Sequence, residues 1–294
     1  MDLVTPAYRL GARLARLAPA PVAAGGARRL GRVAGHLARQ RRAQVERNLR
    51  RIEPGISPRR LRELTDQTFE SYARYFEESF RLPGTSAAAL DDGFQPDGWH
   101  LIDQALEAGH GAIMAMPHLG GWEWSGFWLT QVKHRPVTAV VERLEPPALF
   151  DWFADLRRSF GFEIVPLGPD AGVATARALK ANHVLALLCD RDLAGTGPEV
   201  ELFGERTTLP GGPATLALRT GAPILPTAIY FDGPDSRRSV VLPALDSTRQ
   251  GRLRDDVQRV TQDLAHALED LIGRAPEQWH LLQPNWPTDR TTTP

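Results

Sequence analysis

At 294 residues, with 42% hydrophobic and 24% charged residues, the chain has room for one large α/β domain and the composition of an ordinary globular protein. Its single cysteine excludes an intrachain disulfide, and no apolar run approaches the ~18 residues needed to cross a bilayer. The formal net charge of +0 hides an asymmetry: residues 1–52 hold twelve arginines against Asp2 and Glu46, so that segment is +10 and the remainder −10.

A basic block of this kind needs an anionic partner or a solvated face. Within it Leu3, Val4, Tyr8, Leu10, Leu14 and Leu17 recur at roughly helical spacing beside Arg9, Arg13 and Arg16. That is the pattern of a basic amphipathic helix lying in a membrane interface. Each basic side chain near an anionic leaflet contributes about 1 kcal/mol, so the expected attachment is peripheral and reversible. The competing readings are a helix packed on its own domain with solvated arginines, an Arg-rich transit peptide, and a nucleic-acid surface. Transit peptides are usually also Ser-rich, and no serine precedes Ser57. No aromatic-interleaved basic surface supports nucleic-acid binding.

Residues 1 to about 82 read as helical, with Leu64, Phe69, Tyr72, Tyr75, Phe76 and Phe80 forming an aromatic stripe that Pro83-Gly84 ends. Beyond Trp99, strand-like runs at 112–116, 137–141, 163–166, 184–189, 224–230 and 239–242 alternate with helical patterns near 147–160, 172–181 and 213–220. A long amphipathic helix over about 251–273 follows. The alternation predicts an α/β fold with a mainly parallel central sheet covered by helices on both faces. It forms one domain, 1–294: a basic helical segment over 1–52 and an α/β catalytic core over 53–294.

The run Ala112–Met116 is followed by Pro117-His118-Leu119-Gly120-Gly121-Trp122-Glu123. This puts an imidazole and a carboxylate in the loop leaving a buried strand, where open α/β sheets bind ligands. His118 and Glu123 are five apart, about 140° on a regular helix, so they meet only if Gly120-Gly121 bends the backbone. The functional reading is an imidazole base steadied by a carboxylate. The plain alternative is a loop histidine followed by a helix-start glutamate. Cys189 closes another buried run and reads as a small filler, since Asp190 and Asp192 disfavour its thiolate.

A His-x4-Asp/Glu pattern at a strand exit resembles the signature of glycerolipid and lipid A-type acyltransferases. Four further stretches resemble the lipid A late-acyltransferase superfamily, particularly its phosphatidylinositol mannoside branch. They are Val141–Pro146 with Leu156–Gly161, Leu188–Leu193 with Gly197–Val200, Leu209–Ala214 through Arg219–Pro226, and Pro276–His280. The likeness spans roughly residues 40–287 in order.

The resemblance implies transfer of a long-chain acyl group from acyl-CoA, a co-substrate, to a mannose hydroxyl of phosphatidylinositol mannoside, with no cofactor. The site would be the cytoplasmic face of the inner membrane. His118 is then the general base, Glu123 its orienting acid, and the Gly120-Gly121 amides are candidate oxyanion donors. Arg157 and Arg158 suit phosphate binding, and the resemblance favours Arg157. Glu142 matches a polar site residue of the mannoside branch, with a salt bridge to Arg143 as the alternative. Asp190 and Asp192 would touch the acceptor or shape its site, unless they cap the loop or pair with Arg191. Glu199 would bind a sugar hydroxyl. Trp122, Trp124, Phe127 and Trp128 line an acyl groove or form core. Three other readings compete: a lipid A-type enzyme using acyl carrier protein, a metal-dependent hydrolase ligated by His118, Glu123, Asp190 and Asp192, and a non-catalytic lipid-binding module.

Overall fold

The computed structural model describes residues 4–291. Four helices open the chain: α1 (Val4–Leu17), α2 (Ala20–Leu37), α3 (Arg39–Ile52) and α4 (Pro58–Arg81). Proline at the first helical position and a Ser57 hydroxyl accepting from the Arg60 N–H at 3.3 Å start α4. On α1 the apolar residues divide between two faces. Tyr8, Ala12 and Ala15 pack on Phe80, Leu149 and Phe153, whereas Leu10, Leu14 and Leu17 point outward and are exposed. Leu3 lies outside the described residues. Gly31 lets α2 close on α4, because a Cβ there would stand 2.4 Å from the Phe69 carbonyl oxygen. The outer side of α2 exposes Val22, Leu30, Val33 and Leu37. No described helix is long and apolar enough to cross a membrane.

The arginines of this front also divide. Arg16 donates to the Phe80 carbonyl, and Arg32, Arg42, Arg47 and Arg51 pair with Glu70, Asp66, Asp289 and Glu205. Arg9, Arg13, Arg28, Arg29, Arg39, Arg41 and Arg50 make no ion pair among the described residues.

The core follows in the order α5 (Ala87–Asp92), β1 (Phe94–Asp97), α6 (His100–Glu107), β2 (Ala112–Met116), α7 (Trp122–Gln131), β3 (Val137–Val141), α8 (Pro147–Arg158), β4 (Phe162–Pro166), α9 (Ala171–Lys180) and β5 (Val184–Leu188). A hairpin of β6 (Glu199–Leu202) and β7 (Glu205–Thr208) leads to α10 (Gly212–Thr220), β8 (Ile224–Phe231), β9 (Arg237–Val241), α11 (Leu253–Gly273) and α12 (Pro287–Thr291). Seven strands form one sheet in the order β1-β9-β8-β2-β5-β3-β4. Its pairs are parallel except β8 with β9. The sheet carries helices on both faces, as the alternation predicts. One face packs Ile113, Leu185 and Ile224 against Leu216, Leu264 and Leu268. The other packs Met114, Val184 and Leu225 against Ile102, Phe127 and Trp128. Strands buried on both faces read as continuous apolar runs, which is why they stand out in the sequence. The four-residue, polar β1, β6 and β7 do not.

The strand order has one consequence for function. β2 and β5 are hydrogen-bonded neighbours in parallel register, Met116 opposite Leu188. The loops leaving them, at His118 and at Asp190, therefore emerge side by side on the same rim.

Candidate active site

Gly120 adopts φ +56, and a Cβ there would fall 2.0 Å from the Ile229 carbonyl oxygen. Only glycine fits, so the loop after β2 lies flat against β8. The Gly120 N–H donates to the Gln278 carbonyl at 3.0 Å and the Gly121 N–H to the Ile229 carbonyl at 3.2 Å. Both amides are thus engaged within the protein and do not supply the oxyanion donors expected of them.

This pinned loop presents His118 to Asp190. Nδ1 lies 2.6 Å from Asp190 Oδ1, and the His118 backbone N–H donates to Oδ2 at 3.0 Å. The Trp279 indole N–H donates to the same Oδ2 at 2.7 Å, and the Asn285 amide donates to the Asp190 carbonyl at 3.1 Å. Burial pushes the Asp190 carboxyl up, but the facing His118 imidazole and the hydrogen bonds from His118 and Trp279 outweigh it and hold the group below its ordinary range. Asp190 is fully buried, whereas the His118 side chain is 31% exposed and lines a cleft of about 1340 Å³. With Nδ1 taken by a carboxylate, Nε2 is the nitrogen left for a reacting group.

Glu123 is not the partner of His118. α7 begins at Trp122 immediately after the glycines, so Glu123 rides the first turn inward and is 1% exposed. Its Oε1 accepts from Arg157 Nη2 at 2.6 Å and from the Tyr75 hydroxyl at 2.8 Å. Its Oε2 and Arg157 Nε are buried without a hydrogen-bond partner among the described residues. Burial first, then the Glu123 charge, raises the Tyr75 phenol far above its usual range, so Tyr75 remains a donor. Arg157 lines the cleft with its charge matched by Glu123.

The other expected site residues separate. Glu142 lines the cleft and pairs with Arg191 at 2.6 Å, not with Arg143. Asp192 also lines the cleft, but its carboxylate accepts from the backbone of Ala194 at 3.1 Å and of Gly197 at 2.7 Å, which shapes the loop after β5. Glu199 is 66% exposed on the β6–β7 hairpin, paired with Arg206, and does not line the cleft. Arg158 is likewise outside it, paired with Asp155 on the surface. Trp124, Phe127 and Trp128 belong to the buried core, and of the four aromatics Trp122 alone lines the cleft.

Two residues escaped the sequence argument as participants. Trp279 holds Asp190. His280 is buried at the cleft wall, its backbone N–H donating to the His118 carbonyl at 2.7 Å and its Nε2 2.9 Å from the Ser71 hydroxyl. Burial, with the nearby His118 adding to it, lowers its pKa to about 3, so this ring is neutral. The Pro276–His280 stretch was the only signal for either. Among the described residues no group of three or more His, Cys, Asp or Glu is arranged to hold a metal ion.

The sequence model of the family described as "Bacterial lipid A biosynthesis acyltransferase" matches residues 4–288. The chain belongs to that family. This acyltransferase is 42% identical over 255 residues to the phosphatidylinositol mannoside acyltransferase of Mycobacterium tuberculosis (strain ATCC 25618 / H37Rv), covering 84% of this chain and 77% of the relative. It is 38% identical over 298 residues to the protein of the same name from Mycolicibacterium smegmatis, covering 96% and 91%.

Proposed function

We propose that this acyltransferase moves a long-chain acyl group from acyl-CoA to a mannose hydroxyl of a phosphatidylinositol mannoside at the cytoplasmic face of the inner membrane. The observation that carries the reading is the His118–Asp190 contact at 2.6 Å at the edge of a large cleft. The acceptor hydroxyl gives its proton to His118 Nε2 as its oxygen attacks the thioester carbonyl. Asp190 stabilises the imidazolium that forms. The tetrahedral intermediate then collapses, the C–S bond breaks, and the imidazolium returns the proton to the leaving thiolate. No acyl-enzyme is needed. Burial, and then the neighbouring Asp190, push the Cys189 thiol well above its usual range, which removes the one thiol as a nucleophile.

The substrate identity rests on the names of the two mycobacterial relatives. Membrane attachment rests on the outward Leu10, Leu14 and Leu17 of α1 and Val22, Leu30, Val33 and Leu37 of α2, interleaved with Arg9, Arg13, Arg28 and Arg29, which make no ion pair among the described residues. Tyr8, on the inner side of α1, lines the cleft, so a lipid held at this surface lies close to its mouth.

Labelled palmitoyl-CoA is incubated with vesicles carrying phosphatidylinositol mannosides in an anionic or a neutral matrix, and products are identified by mass spectrometry. Acylated mannoside forms, faster on anionic vesicles, and His118→Ala lowers the rate by about 10²–10⁴-fold. Thioester hydrolysis with no acceptor modified, or full activity of His118→Ala, would overturn the assignment.

A further inference from the structure

By the helices that supply it, the lining of the cleft divides into two arms. One, toward α1, α4 and α8, is lined by Tyr8, Phe76, Leu144, Leu149 and Phe153. Arg157, the cation on that side, is matched by Glu123. The other arm runs between α9 and α10 over Leu187 of β5. There Gly172, Ala176 and Lys180 line it from α9, and Gly212, Leu216 and Arg219 from α10. Both helices precede strands parallel to β2 and run back across the sheet. Their first residues therefore stand at the His118 rim and their last at the opposite rim. Eight residues of helix span about 12 Å.

At the far end Lys180 and Arg219 are exposed and make no ion pair among the described residues, and Arg177 has only Glu163 at 3.9 Å. Cations at helix C-termini can serve the helix dipole alone. At three other helix ends such cations are balanced one turn back, Arg81 by Glu77, Arg158 by Asp155 and Arg274 by Asp270, while Arg50 at the end of α3 makes no ion pair among the described residues. Lys180 and Arg219 have Ala176 and Thr215 at the equivalent place. Three cations here face Glu163 and two helix ends of roughly −0.5 charge each, so the patch stays positive. A lining that leads from the His118 rim to unmatched cations fits an extended chain with a thioester at one end and phosphate at the other.

We propose that the α9–α10 arm receives the phosphopantetheine portion of the acyl donor, with Lys180, Arg219 and Arg177 holding its phosphates. The acyl chain then occupies the aromatic arm. This rests on the acyl-thioester reading above and assigns the donor its own side of the cleft.

Initial rates are measured for wild type and Lys180→Met/Arg219→Met with palmitoyl-CoA, palmitoyl-4′-phosphopantetheine, palmitoyl-acyl carrier protein and uncharged palmitoyl-pantetheine. Wild type prefers phosphorylated donors, and the double variant loses at least about tenfold of that KM preference. Lys180→Arg/Arg219→Lys retains most of it. Loss shared by phosphopantetheine and CoA donors places the contact at the 4′-phosphate; loss confined to CoA places it at the nucleotide phosphates. An unchanged preference in the double variant, or equal weakening of charged and uncharged donors, would refute the proposal. If wild type acylates nothing from any donor, the transferase reading fails instead, and calorimetric titration with CoA still decides: binding weakened in the double variant upholds the cation site, equal binding removes it.

Discussion

Asp190 and Glu123 are two buried carboxylates beside one loop, each 2.6 Å from a nitrogen of its partner, and they do different work. The partner of Asp190 is an imidazole that opens on the cleft and has a second ring nitrogen able to donate or accept there. The partner of Glu123 is a guanidinium that stays charged. The first pair can therefore pass a proton, and the second can only hold charge in place. In the second pair Glu123 fixes α7 against α8 through Arg157, and α4 through Tyr75. Proximity in sequence to His118 marks the acid that holds Arg157, while the acid that meets the imidazole lies 72 residues away.

The largest separation between the two pairs is expected from their amide variants. Asp190→Asn leaves the loop hydrogen-bonded but misorients or mistautomerises His118, and kcat falls about 10²–10⁴-fold with little change in thermal midpoint. Glu123→Gln leaves the Arg157 charge buried without its counterpart, so stability falls by about 3–5 kcal/mol in denaturant unfolding. Adding Arg157→Met should return most of that loss. A double variant no more stable than Glu123→Gln alone would show that the pair is not the reason. A smaller effect comes from His280. As pH drops below 6.5 the unfolded chain binds a proton there that the folded chain refuses until about 3, so stability declines with acidification across that window. Between pH 6.5 and 5 this amounts to about 2 kcal/mol. His280→Gln should flatten the stability–pH curve over that range relative to wild type; an unchanged slope would contradict the neutral buried ring.

The sheet was readable because β2, β3, β5 and β8 are apolar on both faces, and their apolar runs coincide with the strands to within two residues. The rim was readable too, since His118 and Asp190 each follow such a run. Which acid meets the imidazole was not, because that depends on β5 being inserted beside β2 in the sheet. Strand order is a tertiary property with no local signature. The five-residue spacing already placed Glu123 on another helical face, and the structure follows the helix. Glu199 was misplaced for a similar reason: its hairpin is short and polar, and alternation over four residues is too weak a signal. The split of α1 into an outer leucine row and an inner Tyr8 face could not be read from spacing alone, because both faces carry apolar residues.

The tail from Trp279 to Asp289 grips the site from behind and lends His280 to its wall. Trp279 and Asn285 bind Asp190, while Asp289 accepts from Gln44 and Arg51 of α3 and so ties that tail to the opening helices. Translation delivers His118 long before Trp279. A nascent chain halted between them carries the His118 imidazole without the clasp that aims it, so the site is complete only once residues 279–289 have been made.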